Sequence, residues 1–169
     1  MSGIFKITFF VGFLLLFSAC GYQPIAHKAQ KAVGDKVYVE VKINARDPQN
    51  SVTLKDEISK AIFERLHANV SSKEDSSAII EVQLQRVGFS SLAENRTGFS
   101  TFYRCEVTVE FKYTNTLTQA TRQFSKKGYY NFSLNDTSVI TDSIRLEAIN
   151  QALLQAIDGF VSQVGIEVQ

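Results

Sequence analysis

Residues 101–113 alternate without a break: Tyr103, Cys105, Val107, Val109, Phe111 and Tyr113 share one parity, and Arg104, Glu106, Thr108, Glu110 and Lys112 share the other. Successive side chains of a strand point to opposite faces, so this run specifies a half-buried strand in a sheet with one covered side and one wet side. Two further stretches follow the same rule. Val37, Val39, Val41 and Ile43 alternate with Tyr38, Glu40 and Lys42, and Ile80, Val82 and Leu84 alternate with Glu81, Gln83 and Gln85. Val87 and Phe89 then take the opposite parity, which predicts a bulge or bend near Arg86 to Gly88. A last strand carries Phe124, Tyr130, Phe132 and Leu134 on the same parity as Lys126 and Gly128.

Two segments change period. Within residues 51–69, Leu54, Ile58, Ala61, Ile62 and Leu66 line one face of a helix, with Lys55, Asp56, Glu57, Lys60 and Glu64 on the other. Thr53, Asn50 and Ser51 are its possible caps, and the polar run Ser71–Ser77 ends it in a loop. Near the C-terminus, Leu146, Ile149, Leu153, Ile157, Phe160 and Val164 form a second stripe that Asp142 can cap. Gly159 weakens its last turns by about 1 kcal/mol relative to Ala. The expected architecture is α+β: a two-layer sandwich in which two helices cover one face of a four-stranded mixed sheet, in the order β-α-β-β-β-α. The opposite sheet face would carry Glu40, Lys42, Gln83, Arg104, Glu106, Glu110, Lys112 and Lys127.

The start of the chain reads as an address. Lys6 precedes eleven mostly apolar residues, Ile7 to Phe17, and the small pair Ser18-Ala19 follows. Eleven helical residues span about 16 Å, too little for a hydrocarbon core of about 30 Å, so residues 1–19 read as a cleaved signal. Phe17-Ser18-Ala19-Cys20 resembles a bacterial lipobox, in which the thiol takes a diacylglyceryl group and the freed amine is acylated. Phe17 stands where that motif usually has Leu. An ordinary signal with an incidental cysteine is the alternative. Two or three acyl chains make attachment durable where one does not, and Gly21 rather than Asp after the cysteine favours an outer membrane. Residues 20–35 are then expected to be a lipidated N-terminus and tether, and 36–169 a single domain.

Composition excludes several chemistries. There are 18 Lys+Arg against 17 Asp+Glu, without the basic excess that phosphate-tracking nucleic-acid binders show. Two cysteines cannot build a disulfide scaffold or a four-thiolate zinc site, and His27 and His67 lack metal-ligand spacing. Cys105 sits mid-strand on the apolar parity, where a buried inert thiol is expected. Glu106 and Glu110 are about 13 Å apart along a strand, outside the range of a glycosidase pair. No phosphate loop appears, so neither an enzyme nor a cofactor is expected. Two basic features stand out: the connection SSLAENRTGFS, residues 90–100, with Arg96, Thr97 and Gly98 near its tip, and Lys126-Lys127 with Arg122. They suit phosphorylated lipid headgroups. They equally suit a solvated hairpin and a charged strand.

The lipobox, the start Cys20-Gly21-Tyr22-Gln23-Pro24 and the order of elements together resemble the LptE family of lipopolysaccharide-assembly lipoproteins. The run AHKAQKAVGDKVYVEVKINARDPQNSV, residues 26–52, is similar to versions from the Campylobacter and Helicobacter branch. The resemblance implies an outer-membrane, periplasm-facing lipoprotein. It would plug an LptD-type β-barrel, help that barrel fold, and help deliver lipopolysaccharide to the cell surface. It also implies basic contacts to lipopolysaccharide, for which Arg96, Lys126 and Lys127 are the candidates. A different expectation for the same anchored domain is an accessory subunit of a lipid-transport ABC system.

Overall fold

The computed structural model describes residues 25–43, 48–94, 96, 98–134 and 139–167. Among these residues eight elements follow one another: α1 (Ile25–Val33), β1 (Lys36–Ile43), α2 (Pro48–Leu66), β2 (Asn69–Val70), β3 (Ala78–Glu94), β4 (Ser100–Asn115), β5 (Thr121–Ser133) and α3 (Asp142–Glu167). The strands form one sheet in the order β2-β1-β3-β4-β5. β1 runs parallel to β2 and β3, and β3-β4-β5 is an antiparallel meander. The α+β class and the mixed sheet stand. Among the described residues, however, the sheet has five strands rather than four, and three helices lie on its covered side rather than two.

Both additions have a physical cause. β2 is two residues long and exists by pairing Asn69 and Val70 with Lys36 and Val37, too short a run to show a period. α1 occupies residues 25–33 of the stretch expected to be a tether. Its Ala29 and Val33 are fully buried, and the Tyr113 hydroxyl donates to the Ala32 carbonyl at 3.0 Å. A nine-residue helix is marginal alone, so tertiary packing holds this one. α2 begins at Pro48, earlier than expected, as suits a proline in a first turn. It ends where His67 turns left-handed at φ 50° and Ala68 N–H bonds the Phe63 carbonyl at 3.2 Å. At the start of α3 the capping side chain is Thr141, whose Oγ1 accepts from Ile144 N–H at 3.4 Å, rather than Asp142.

The core lies between the helices and one sheet face. Val37, Val41, Ala78, Ile80, Val82, Cys105, Val107, Val109, Phe111 and Tyr113 meet Ile58, Ile62 and Leu66 of α2 and Ala152, Ile157, Phe160 and Val164 of α3. Phe160 stacks on Phe111 at 4.3 Å and meets Phe124 edge-on at 5.7 Å. Burying such side chains contributes roughly 1.5–3 kcal/mol each. α3 comes closest to the sheet at Gly128, because a Cβ there would lie 2.8 Å from the Ala152 carbonyl carbon and 3.0 Å from Ala156 N. Gly159 is not constrained in this way: the Lys126 side chain crosses it, with Cδ 3.5 Å from where a Cβ would sit, an ordinary contact. The parity switch in β3 is a bulge between Leu84 and Arg86, at Gln85, just before the expected place. It returns Val87 and Phe89 to the helix side, where both pack against the core.

Candidate functional site

β1, β3, β4 and β5 carry the uncovered face of the sheet. The register aligns Glu40, Glu81, Lys112 and Gln123 in one row across it, and Lys42, Gln83, Glu110 and Ser125 in the next. Glu81 accepts from Lys112 at 2.7 Å and from Lys42 at 3.0 Å, and Lys42 also lies 3.8 Å from Glu40. The hydrogen bond from Lys112, then that from Lys42, holds the Glu81 carboxyl below the usual carboxylate range. The Lys42 ammonium is raised by its Glu81 bond. Gln85 donates to Glu110 at 2.7 Å. This half of the face is a mixed-charge surface that largely satisfies itself.

Further along, the balance tips to positive. Lys127 donates to Glu106 at 2.9 Å, which lowers the Glu106 carboxyl and raises the Lys127 ammonium. Arg86 and Arg104 add their charge beside Glu106. Arg104 bonds Asn131 at 2.9 Å and lies over the Tyr129 ring at 5.6 Å. Three cations thus surround one acid. Between them the sheet has a shallow dent of roughly 190 Å³ lined by Arg86, Gly88, Phe89, Ser90 and Glu106. Gly88 makes the dent, since a Cβ there would meet nothing within 4 Å. Sequence reading missed this place, because Gly88 and Glu106 become neighbours only through the β3–β4 register. The bulge signal beside it was the one available hint.

The cations singled out from sequence do not share a site. Arg96 is exposed at the β3–β4 turn. Lys127 pairs with Thr108, eight residues or about 26 Å along β4 from Ser100 at that turn. Lys126 and Lys127 point to opposite faces: Lys126 crosses α3 on the covered side, while Lys127 stands on the open side. Arg122 shares the parity of Lys126 and is exposed. Cys105 is wholly buried, and burial pushes its thiol up to about 11, partly opposed by Arg145. His67 is used as a helix terminus, its carbonyl accepting from Gln30 Nε2 at 3.2 Å. Among the described residues no group of three or more His, Cys, Asp or Glu could hold a metal, and no helix is long and apolar enough to cross a membrane. Cys20 and the signal segment lie outside the described residues.

Apolar side chains gather at the far end of the β3–β4 hairpin. Leu92, Phe99 and Phe102 are 43%, 61% and 38% exposed. On the covered side below them, Phe132 stacks with Tyr103 at 5.8 Å and Tyr130 at 6.2 Å and meets Phe89 edge-on at 6.3 Å. The Arg145 guanidinium lies 5.3 Å from the centre of the Phe89 ring.

A search of curated sequences found no match for the chain. Among solved structures, the rare lipoprotein B of Shewanella oneidensis is 16% identical, with a TM-score of 0.49, over 75% of this chain and 92% of that one. A lipoprotein of Caulobacter crescentus is 7% identical, with a TM-score of 0.49, over 85% and 95%. The protein XCC0632 of Xanthomonas campestris is 14% identical, with a TM-score of 0.45, over 78% and 83%. The model of one family, lipopolysaccharide-assembly LptE, matches residues 38–164, which run from β1 through nearly all of α3. The chain belongs to the LptE lipopolysaccharide-assembly family.

Proposed function

We propose that the chain is an outer-membrane lipoprotein, cut before Cys20 and acylated there, that seats inside an LptD-type β-barrel and serves the delivery of lipopolysaccharide to the cell surface. The family match over residues 38–164 carries this reading. The open sheet face supports it: a barrel lumen is polar, and a face whose charges are already paired, as at Lys42–Glu81–Lys112, loses little when it is enclosed there. The anchor raises the effective concentration of the domain beside the barrel. The domain's role in this reading is binding and positioning rather than catalysis.

Arg96, Lys126 and Lys127 are proposed as contacts for anionic lipopolysaccharide headgroups, acting at separate places rather than in one pocket. Arg96 meets them from the exposed turn. Lys127 does so only by sharing or giving up Glu106.

The test is extraction of the C-terminally tagged full chain from its native membranes in mild detergent. Mass spectrometry then identifies co-purified proteins and the N-terminal peptide. A large β-barrel in one-to-one ratio, with a triacylated peptide beginning at Cys20, is the expected result. An inner-membrane transporter in place of the barrel would overturn the plug reading in favour of an accessory transport subunit. An unlipidated N-terminus with no partner would overturn both.

A further inference from the structure

Among the described residues the sheet leaves backbone unpaired along parts of its edges, and one such length lies beside the dent. The outer side of β1 is covered by β2 at Lys36 and Val37. The outer side of β5 meets α3 at its middle, where Gln155 Oε1 accepts from the outward Tyr129 N–H at 2.5 Å and Gly128 lets the helix backbone approach. β3 is different. β1 accompanies it only as far as Leu84, and among the described residues nothing pairs with the outer side of Arg86 to Glu94. Ser90, Ser91, Leu92, Ala93 and Glu94 are exposed one after another, so this length of strand is wet on both faces. Alternate residues of an antiparallel strand turn N–H and C=O away from their partner, which leaves a row of backbone donors and acceptors there. Long open edges are templates for pairing, and proteins that do not use them blunt them.

The side chains along this edge add a selection. The Gly88 dent opens on it, with Arg86 beside the dent and Lys127 and Arg104 nearby, against the single acid Glu106. About four residues or 13 Å further on, Leu92 and Phe102 are exposed. We propose that the β3 edge from Arg86 to Glu94 takes an extended polypeptide segment of a partner protein as an added strand, with a carboxylate of that segment in the dent over Gly88 and apolar side chains toward Leu92 and Phe102. Main-chain hydrogen bonds would supply the affinity and the alternate side chains the choice. A lipid headgroup could occupy the dent, but it offers no ladder to the backbone groups beyond it. This inference rests on the sheet edge and not on the identity of the barrel.

The experiment uses the tagged full chain extracted with whatever it binds, and residue-resolved amide hydrogen exchange over positions 86–94. Strand addition slows every second amide on this edge by about a hundred-fold or more relative to the same chain stripped of its partner. Amides of β5 that already face α3, such as Tyr129, serve as the internal reference. Arg86→Glu should reduce retention of the partner at least ten-fold while leaving the melting temperature of the isolated chain within a few degrees. Fast exchange at all edge amides in the extracted sample overturns the proposal, whether the chain emerges alone, with lipid only, or with a barrel. In that last case the barrel reading survives and strand addition does not. Slow alternate amides with no loss on Arg86→Glu overturn the carboxylate assignment.

Discussion

Gly128→Ala should be among the most damaging single-methyl additions this fold can receive. The new Cβ would lie 2.8 Å from the Ala152 carbonyl carbon and 3.0 Å from Ala156 N, with the Ala152 carbonyl oxygen nearer still. Carbon contacts are comfortable at about 3.5–4 Å, so α3 must retreat from β5 by roughly 1 Å or more, and backbone atoms cannot turn aside as a side chain can. Overpacking alone costs about 1–3 kcal/mol. The same retreat stretches the 2.5 Å bond from Tyr129 N–H to Gln155, worth about 1 kcal/mol, and loosens the 4.3 Å stack of Phe160 on Phe111. The total is about 3–5 kcal/mol, a large part of the 5–15 kcal/mol available to a domain. At 2–4 °C per kcal/mol this lowers the melting temperature by about 6–20 °C. Urea and thermal unfolding of the soluble domain measure it, with Gly88→Ala on β3 as the matched control. That control meets open space and should stay within about 0.5 kcal/mol of the parent. Gly128→Ala unfolding within 0.5 kcal/mol of the parent would refute the claim that helix and strand backbones touch here.

Gly159→Ala should act in the opposite sense, because its Cβ would rest in ordinary contact with the Lys126 stem. A gain of about 0.5–1 kcal/mol in unfolding free energy is expected, and a loss would mean the helix is tighter there than described. Glu81→Gln should cost about 1 kcal/mol or less at pH 7, since the ion pairs are half-exposed. The Glu81 carboxyl is lowered in the fold, so its contribution is complete above the ordinary carboxylate range and fades as pH falls through the folded value. Urea unfolding of both proteins should therefore begin to converge as pH falls below the ordinary glutamate value of about 4.3, and a gap that persists undiminished at about pH 2.5 would contradict the assignment. Cys105, with a thiol near 11, should resist iodoacetamide in the folded domain at pH 8, where about one thiol in a thousand is ionised, and react fully in urea. Rapid labelling of the Cys105 peptide without denaturant would show that the sheet centre opens.

Periodicity revealed the elements that carry a sustained apolar stripe. Thr101 to Tyr113 alternates along most of β4, and the stripe Ile149, Leu153, Ile157, Phe160 and Val164 became the buried side of α3. α1 escaped because its hold on the core is Ala29 and Val33, two small residues one turn apart, and a carbonyl that only Tyr113, 81 positions away, reveals. β2 escaped because two residues have no period. The candidate site failed for a related reason. Lys126 and Lys127 are adjacent in sequence and so point to opposite sides of a strand. The residues that do gather, Arg86, Gly88 and Glu106, depend on cross-strand register and on a side chain that is missing.

The docking of α1 also sets a leash. Four residues, 21–24, separate the proposed acylation site at Cys20 from the first residue of α1, and the five steps between them reach at most about 17 Å when fully extended. Were Cys20 acylated as proposed, a domain on so short a lead could not roam the space beneath a membrane, and it would present whatever it carries at nearly constant height.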